Sequence, residues 1–177
     1  MSNSLNNFKL AISDAEELIS CFDQLNSKDS SSPPDALKRA SLIMIMTAWE
    51  TYVEDIATEL FESKFGVLEG CHIGNFLNRQ FSSKLKMFHN PGSQKTKEIF
   101  DEFFGFNVTE YWVWNSYNTP KQAKQTLDGW LKRRGEAVHR SQVDITKPDL
   151  IKRGELDKCL RFVSELVSVT DKALEKV

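Results

Sequence analysis

The stretch from Asp35 to about Lys64 leaves this chain the least freedom. Leu42, Ile45, Met46, Trp49, Val53, Ile56, Ala57 and Leu60 recur at threes and fours, which predicts one long helix with a strongly apolar face. Ile43, Met44 and Ala48 carry apolar surface onto its other faces. A helix that is apolar nearly all round has to be enclosed by other helices, so it belongs at the centre of a bundle. It is not a membrane span. The longest apolar run, Leu42 to Trp49, falls far short of the roughly 20 residues that cross a bilayer.

Other segments supply the enclosing helices. Residues 5 to 25 place Leu5, Phe8, Ile12, Ala15, Leu18, Ile19, Phe22 and Leu25 on one amphipathic face. N-S-K-D-S-S-S-P-P-D, Asn26 to Asp35, reads as a loop too short to separate two domains. Ile73 to Phe88 is a further helix, and Asn90-Pro91 is expected to start another carrying Ile99, Phe100, Phe103 and Phe104. Gly105 to Asn118 has strand-like residues but no pairing partner, and is expected to be an ordered connection packed by its aromatics. The Thr119 to Arg140 stretch opens with a possible cap at Asn118 or Thr119 and a proline suited to the first helical position. A turn around Asp144 to Pro148 and a last helix with Leu156, Leu160, Val163, Leu166, Val167 and Leu174 complete the chain. The expectation is an all-α, single-domain bundle over residues 1–177.

Charge sets limits on partners. With 23 basic and 25 acidic residues the net charge is −2, so no global basic field marks a nucleic-acid binder and any such contact needs a local patch. The odd, widely spaced Cys21, Cys71 and Cys159 point to reduced thiols. Met1 to Leu10 lacks the basic start and apolar core of an export signal, which makes the cytoplasm the expected location. Cys71-His72 and His89 lack any metal-ligand spacing, and no P-loop or dinucleotide fingerprint occurs; no metal or cofactor is expected.

The anomaly lies in the Thr119 helix. Leu127, Trp130, Leu131, Ala137 and Val138 define a buried stripe, and at about 100° per residue Arg134 falls near its centre. A guanidinium stays charged, so one aimed at a core needs carboxylates or an anionic ligand to answer it. Glu50, on the flank of the long helix, is close enough to the main stripe to be such a partner. Five residues beyond Arg134 comes His139, of the residue type that exchanges protons most readily near neutral pH. Lys132, Arg133 and Arg140 surround the pair with positive charge suited to phosphate contacts.

R-G-E-A-V-H across Arg134 to His139 resembles the arginine-x4-histidine motif of the HEPN superfamily (higher eukaryotes and prokaryotes nucleotide-binding). Two more stretches resemble its RiboL-PSP type: A-S-L-I-M-I-M-T-A-W-E-T-Y-V-E-D-I-A, with Trp49-Glu50 as an aromatic-Glu pair, and T-P-K-Q-A-K-Q-T-L-D-G-W-L-K-R-R. The resemblance covers residues 36 to 142. It implies a helical bundle and a metal-independent ribonuclease of the kind found in defence and toxin–antitoxin systems, acting on RNA as a homodimer. A toxin's antitoxin or a defence-system protein is an implied partner. Family members usually carry a polar residue after the arginine, whereas Gly135 stands here and could mark a bend.

The chemistry can be argued from the residues alone. Metal-free RNA cleavage needs a base for the 2′-hydroxyl, an acid for the departing 5′-oxygen, and cations around the phosphorane. One histidine cannot fill both roles in the same step, and Arg134 and His139 sit about 140° apart on a straight helix. Two copies facing across a two-fold axis answer both difficulties. Two blander readings use the same residues: an inactive RNA- or nucleotide-binding bundle, and a purely structural helical interaction protein in which Arg134 only ties helices together. The aromatics of residues 100–117 can stack bases but by composition suit closing the core.

Overall fold

A computed structural model of the chain describes residues 2–27, 34–139 and 150–175. Among these, six α-helices follow one another: α1 (Asn3–Asn26), α2 (Asp35–Phe65), α3 (His72–Lys86), α4 (Ser93–Phe104), α5 (Pro120–His139) and α6 (Arg153–Leu174). The expected all-α bundle is what the chain forms. The turn read around Asp144 to Pro148 lies outside the described residues.

α2 is the axis. It packs against α1, α4, α5 and α6, and Leu42, Ile45, Met46, Ala48, Trp49, Tyr52, Val53 and Ala57 along it are almost wholly buried. Because its buried residues point in several directions, no single neighbour can cover them. α1 covers one flank through Phe8, Ile12, Ala15 and Ile19, and α6 another through Leu156, Cys159, Val163 and Leu166; all join one continuous core. Fully burying one such side chain stabilises the fold by roughly 1.5–3 kcal/mol before the entropy of ordering is counted.

The ends of the helices follow local chemistry. Ser2 caps α1, its hydroxyl accepting from the Leu5 amide at 3.0 Å. Thr119 caps α5 by accepting from the Gln122 amide, with Pro120 in the first turn as expected. α4 stops at Gly105, whose φ of 63° is the left-handed conformation that ends helices at little cost for glycine. One boundary differs from expectation. α4 begins at Ser93 and not at Asn90-Pro91, because Asn90 takes a left-handed φ of 53° that no helix can start from.

The aromatic segment after Gly105 contains one short 3-10 turn, Val108–Tyr111, and one isolated antiparallel bridge between Trp114 and Tyr117. Its strand-like residues serve burial, not pairing. Trp112 is fully buried, meets Trp49 edge-on at 5.9 Å, and donates its indole N–H to Thr170 Oγ1 of α6 at 3.0 Å. Trp114 donates to Glu165 Oε2 of the same helix at 2.7 Å. The connection is therefore a strap that ties α2 to α6, although Tyr111 lies exposed. No helix among the described residues is long and apolar enough to cross a membrane.

Replacing Trp112 by alanine is expected to cost about 3–5 kcal/mol of folding stability. Urea denaturation measures it, and a loss below about 1 kcal/mol would show that the strap is dispensable.

Candidate functional site

The site grows from two consecutive residues of α2. Trp49 is fully buried and its indole N–H donates to the Pro91 carbonyl at 2.8 Å. Glu50 turns away from the core and accepts the Asn90 amide on Oε1 at 2.8 Å. Both thus grip the corner that joins α3 to α4, and they hold Asn90 in its left-handed conformation, a costly state for a non-glycine residue unless its surroundings impose it.

From the other side comes α5. Arg134 Nη2 lies 3.3 Å from Glu50 Oε2, and Nη1 donates to the Asn90 side-chain oxygen. Arg134, Glu50 and Asn90 close a triangle in which every pair is bonded. One turn and a half earlier on α5, Asp128 accepts from the Ser93 amide at 2.8 Å and from its hydroxyl at 2.7 Å, capping α4 from a different helix. A Cβ at Gly92 would lie 2.8 Å from Asp128 Oδ1, so a larger residue there would have to displace this carboxylate. On α4, Lys95 holds the His89 carbonyl at 2.5 Å. Residues 89–93 are clamped by three helices.

The expected contact of Glu50 with Arg134 is present, and the cation is not sealed in. Side-chain exposure is 20% for Arg134 and 17% for Glu50, so the pair sits in the wall of the bundle with an open edge. The guanidinium Nε is covered and has no acceptor among the described residues. His139 is the exposed last residue of α5. The stripe that contains Arg134 is buried at Leu127 and Ala137, but Val138, expected within it, is 51% exposed where the helix end overhangs its neighbours.

One further expectation is corrected. Arg133 does not join Arg134: adjacent residues point about 100° apart, and Arg133 faces α6, where it pairs with Glu155 at 2.7 Å and stacks over Trp130 at 5.1 Å. The Lys152 amide and then Arg133 hold the Glu155 carboxyl below the usual range. α5 runs unbroken through Gly135 to His139, and a Cβ at that glycine would meet nothing within 4 Å. Lys132 is exposed on the remaining face, and Arg140 lies outside the described residues.

Sequence reasoning missed Asn90, Asp128 and Glu54. Glu54 follows Glu50 by one turn of α2. Burial foremost, and the Glu50 charge next, push its carboxyl above the usual range, while nearby His89 pulls it back. The Asn-Pro-Gly run at 90–92 was the available signal, being a stronger marker of a turn than of a helix start. No group of three or more His, Cys, Asp or Glu side chains placed to hold a metal ion occurs among the described residues.

A family model described as RiboL-PSP-HEPN matches residues 10–176. The chain belongs to this HEPN family. The match extends well beyond residues 36–142, taking in α1 from Leu10 and the whole of α6. No curated protein and no solved structure matches the chain. In this HEPN bundle Arg134, of the R-x4-H spacing, is bonded to Glu50, of the aromatic-Glu pair, so two stretches far apart in sequence meet.

Two outcomes test the triangle. Arg134→Lys offers a single point charge that cannot serve both Glu50 and Asn90, and is expected to lose about 1–3 kcal/mol in chemical denaturation. A second test uses pH. Folding raises the Glu54 pKa, so its ionised form disfavours the fold; the penalty is absent below the unfolded value of 4.5 and grows as pH rises past it. Glu54→Gln should therefore melt higher than wild type at neutral pH, with the gain shrinking as pH falls through 4.5.

Proposed function

We propose that this HEPN chain is a metal-independent endoribonuclease in which Arg134 and His139 act on one phosphodiester between two copies of the chain. The observation that carries the reading is the Arg134–Glu50–Asn90 triangle: it fixes a planar cationic fork at a partly open edge, on the helix that ends in an exposed histidine. A preorganised fork suits the charge that gathers on a phosphorane, since no reorganisation is needed when the charge develops.

The reaction then follows from the groups at hand. An imidazole takes the proton of the 2′-hydroxyl, the 2′-oxygen bonds to phosphorus, and the P–O5′ bond breaks as the 5′-oxygen gains a proton. The products are a 2′,3′-cyclic phosphate and a free 5′-hydroxyl. Arg134 and His139 project about 140° apart on α5. A two-fold arrangement of two copies brings one chain's His139 toward the other's Arg134. Lys132 is placed to contact flanking phosphates, and an antitoxin or another defence-system protein that silences the activity is part of this proposal.

A second reading has its own support. The Arg134 fork is already answered by Glu50 and Asn90, as in a helix tie that needs no ligand. Cleavage of single-stranded RNA in excess EDTA separates the two. His139→Ala is expected to lower the rate by about 10²–10⁴-fold, and Arg134→Met to do the same while also destabilising the fold. RNA retained without cleavage would point to a binding module, and an Arg134 variant that loses only stability would point to the tie.

A further inference from the structure

Between α5 and α6 lies a cleft that the Arg134 site does not use. Gly129, Trp130 and Arg133 line it from α5, Glu155 and Lys158 from α6, and Tyr117 from the aromatic strap, around a volume of about 310 Å³. Residues 129 and 130 precede Arg133 by one turn and share its side of the helix, about 100° round from Arg134. Gly129 contributes no side chain, and a Cβ there would meet nothing within 4 Å, so the wall stays open at this point. The volume is that of a small ligand site.

Two rings are fixed in its lining. Trp130 carries the Arg133 guanidinium over its face at 5.1 Å, and Tyr117 rests against Trp114 at 4.7 Å and Phe162 at 5.2 Å. Rings held in place lose little freedom when a flat partner joins them. The polar groups of the lining are mostly donors. Glu155, its one carboxylate, has both oxygens engaged, Oε1 by Arg133 at 2.7 Å and Oε2 by the Lys152 amide at 2.9 Å. Arg133 makes that bond through Nη1 alone and is 40% exposed, which leaves most of its five-donor fork for another acceptor. Lys158 is exposed and has no partner among the described residues. The Trp130 indole N–H is covered and has no acceptor among them, a state that folding disfavours and that an acceptor brought beside the ring relieves.

A partly used guanidinium, an unpaired ammonium and an unmet indole N–H beside two rings call for a flat ligand that carries acceptors and negative charge. A nucleotide combines these in one molecule: its base stacks on aromatic rings and offers acceptors at its edge, and its phosphate matches guanidinium and ammonium. We propose that the α5–α6 cleft binds one nucleotide, with the base against Trp130 and Tyr117 and the phosphate between Arg133 and Lys158. The nucleotide is either free or one unit of an RNA strand, and the chemistry of recognition is the same for both. This site is separate from the Arg134–Glu50–Asn90 triangle and stands whether or not the chain cuts RNA. It also gives Arg133, which turns away from Arg134 toward α6, a phosphate to contact.

The test titrates the full chain with two probes, the four ribonucleoside 5′-monophosphates and a short single-stranded RNA whose 2′-fluoro riboses prevent cleavage, and follows the indole N–H signals by NMR. The Trp130 signal is expected to shift, while those of Trp49, bonded to Pro91, and Trp112, bonded to Thr170, stay in place. Lys158→Glu, with unchanged melting, should weaken binding at least about tenfold, the loss of one charge-assisted contact. Trp130→Leu should weaken it as well, and Lys172→Glu, the same charge change near the far end of α6, should not. Tighter binding of the RNA than of any monophosphate, lost in Lys158→Glu, identifies the ligand as a unit of a strand; tighter binding of a monophosphate identifies a free nucleotide. No shift at Trp130 with either probe, or wild-type affinity in both Lys158→Glu and Trp130→Leu, overturns the proposal. The ribonuclease reading fails separately, on the absence of cleavage alone.

Discussion

Trp49 and Glu50 are neighbours on a helix enclosed by four others, and they reach opposite environments to hold one corner of backbone. The tryptophan buries its ring and spends its N–H on the Pro91 carbonyl; the glutamate stays near the surface and takes the Asn90 amide. Without both, Asn90 has no reason to remain left-handed, and with it would go the acceptor for Arg134 and the alignment of Ser93 beneath Asp128. The start of α4 and the seat of the arginine therefore depend on the same pair of bonds from α2. A rigid, buried helix is the part of a bundle best able to impose such a constraint, because its own position is over-determined by packing on several sides.

This arrangement explains what could be read from residues alone and what could not. Burial at helical spacing is written directly into the chain, so all six helices were legible, and α2 declared its central place through apolar residues on more than one face. Arg134 was legible for the opposite reason, as a charge where the period called for an apolar residue. The corner at 89–93 was not. Apart from Lys95, its partners lie 35 to 44 residues away in sequence, on helices whose relative rotation the pattern does not specify. Arg133 shows the same limit at short range: one residue from Arg134 and read as part of one basic patch, it turns to α6 and a different carboxylate.

The energetic standing of Arg134 bears on its role. A fully buried ion pair is weak evidence for anything but itself, since desolvation can cancel its attraction, and a fully exposed one is worth little. Arg134 and Glu50 fall between, each with about a fifth of its side chain in contact with solvent. Glu50 divides its charge between the guanidinium and the Asn90 amide, so neither bond uses the whole carboxylate. The cation is held in place at an edge that solvent still reaches.

The carboxyl one turn further along α2 bears on the same field. Glu54 is pushed toward its protonated form by burial and by Glu50, and only His89 opposes this among its main neighbours. A second full negative charge one turn from Glu50 would weaken the positive field of Arg134. Keeping that charge small preserves the positive charge of Arg134 in a chain whose net charge is −2. The local field here is set by the side chains that α2 and α5 bring together, and the overall acidity of the protein has little say in it.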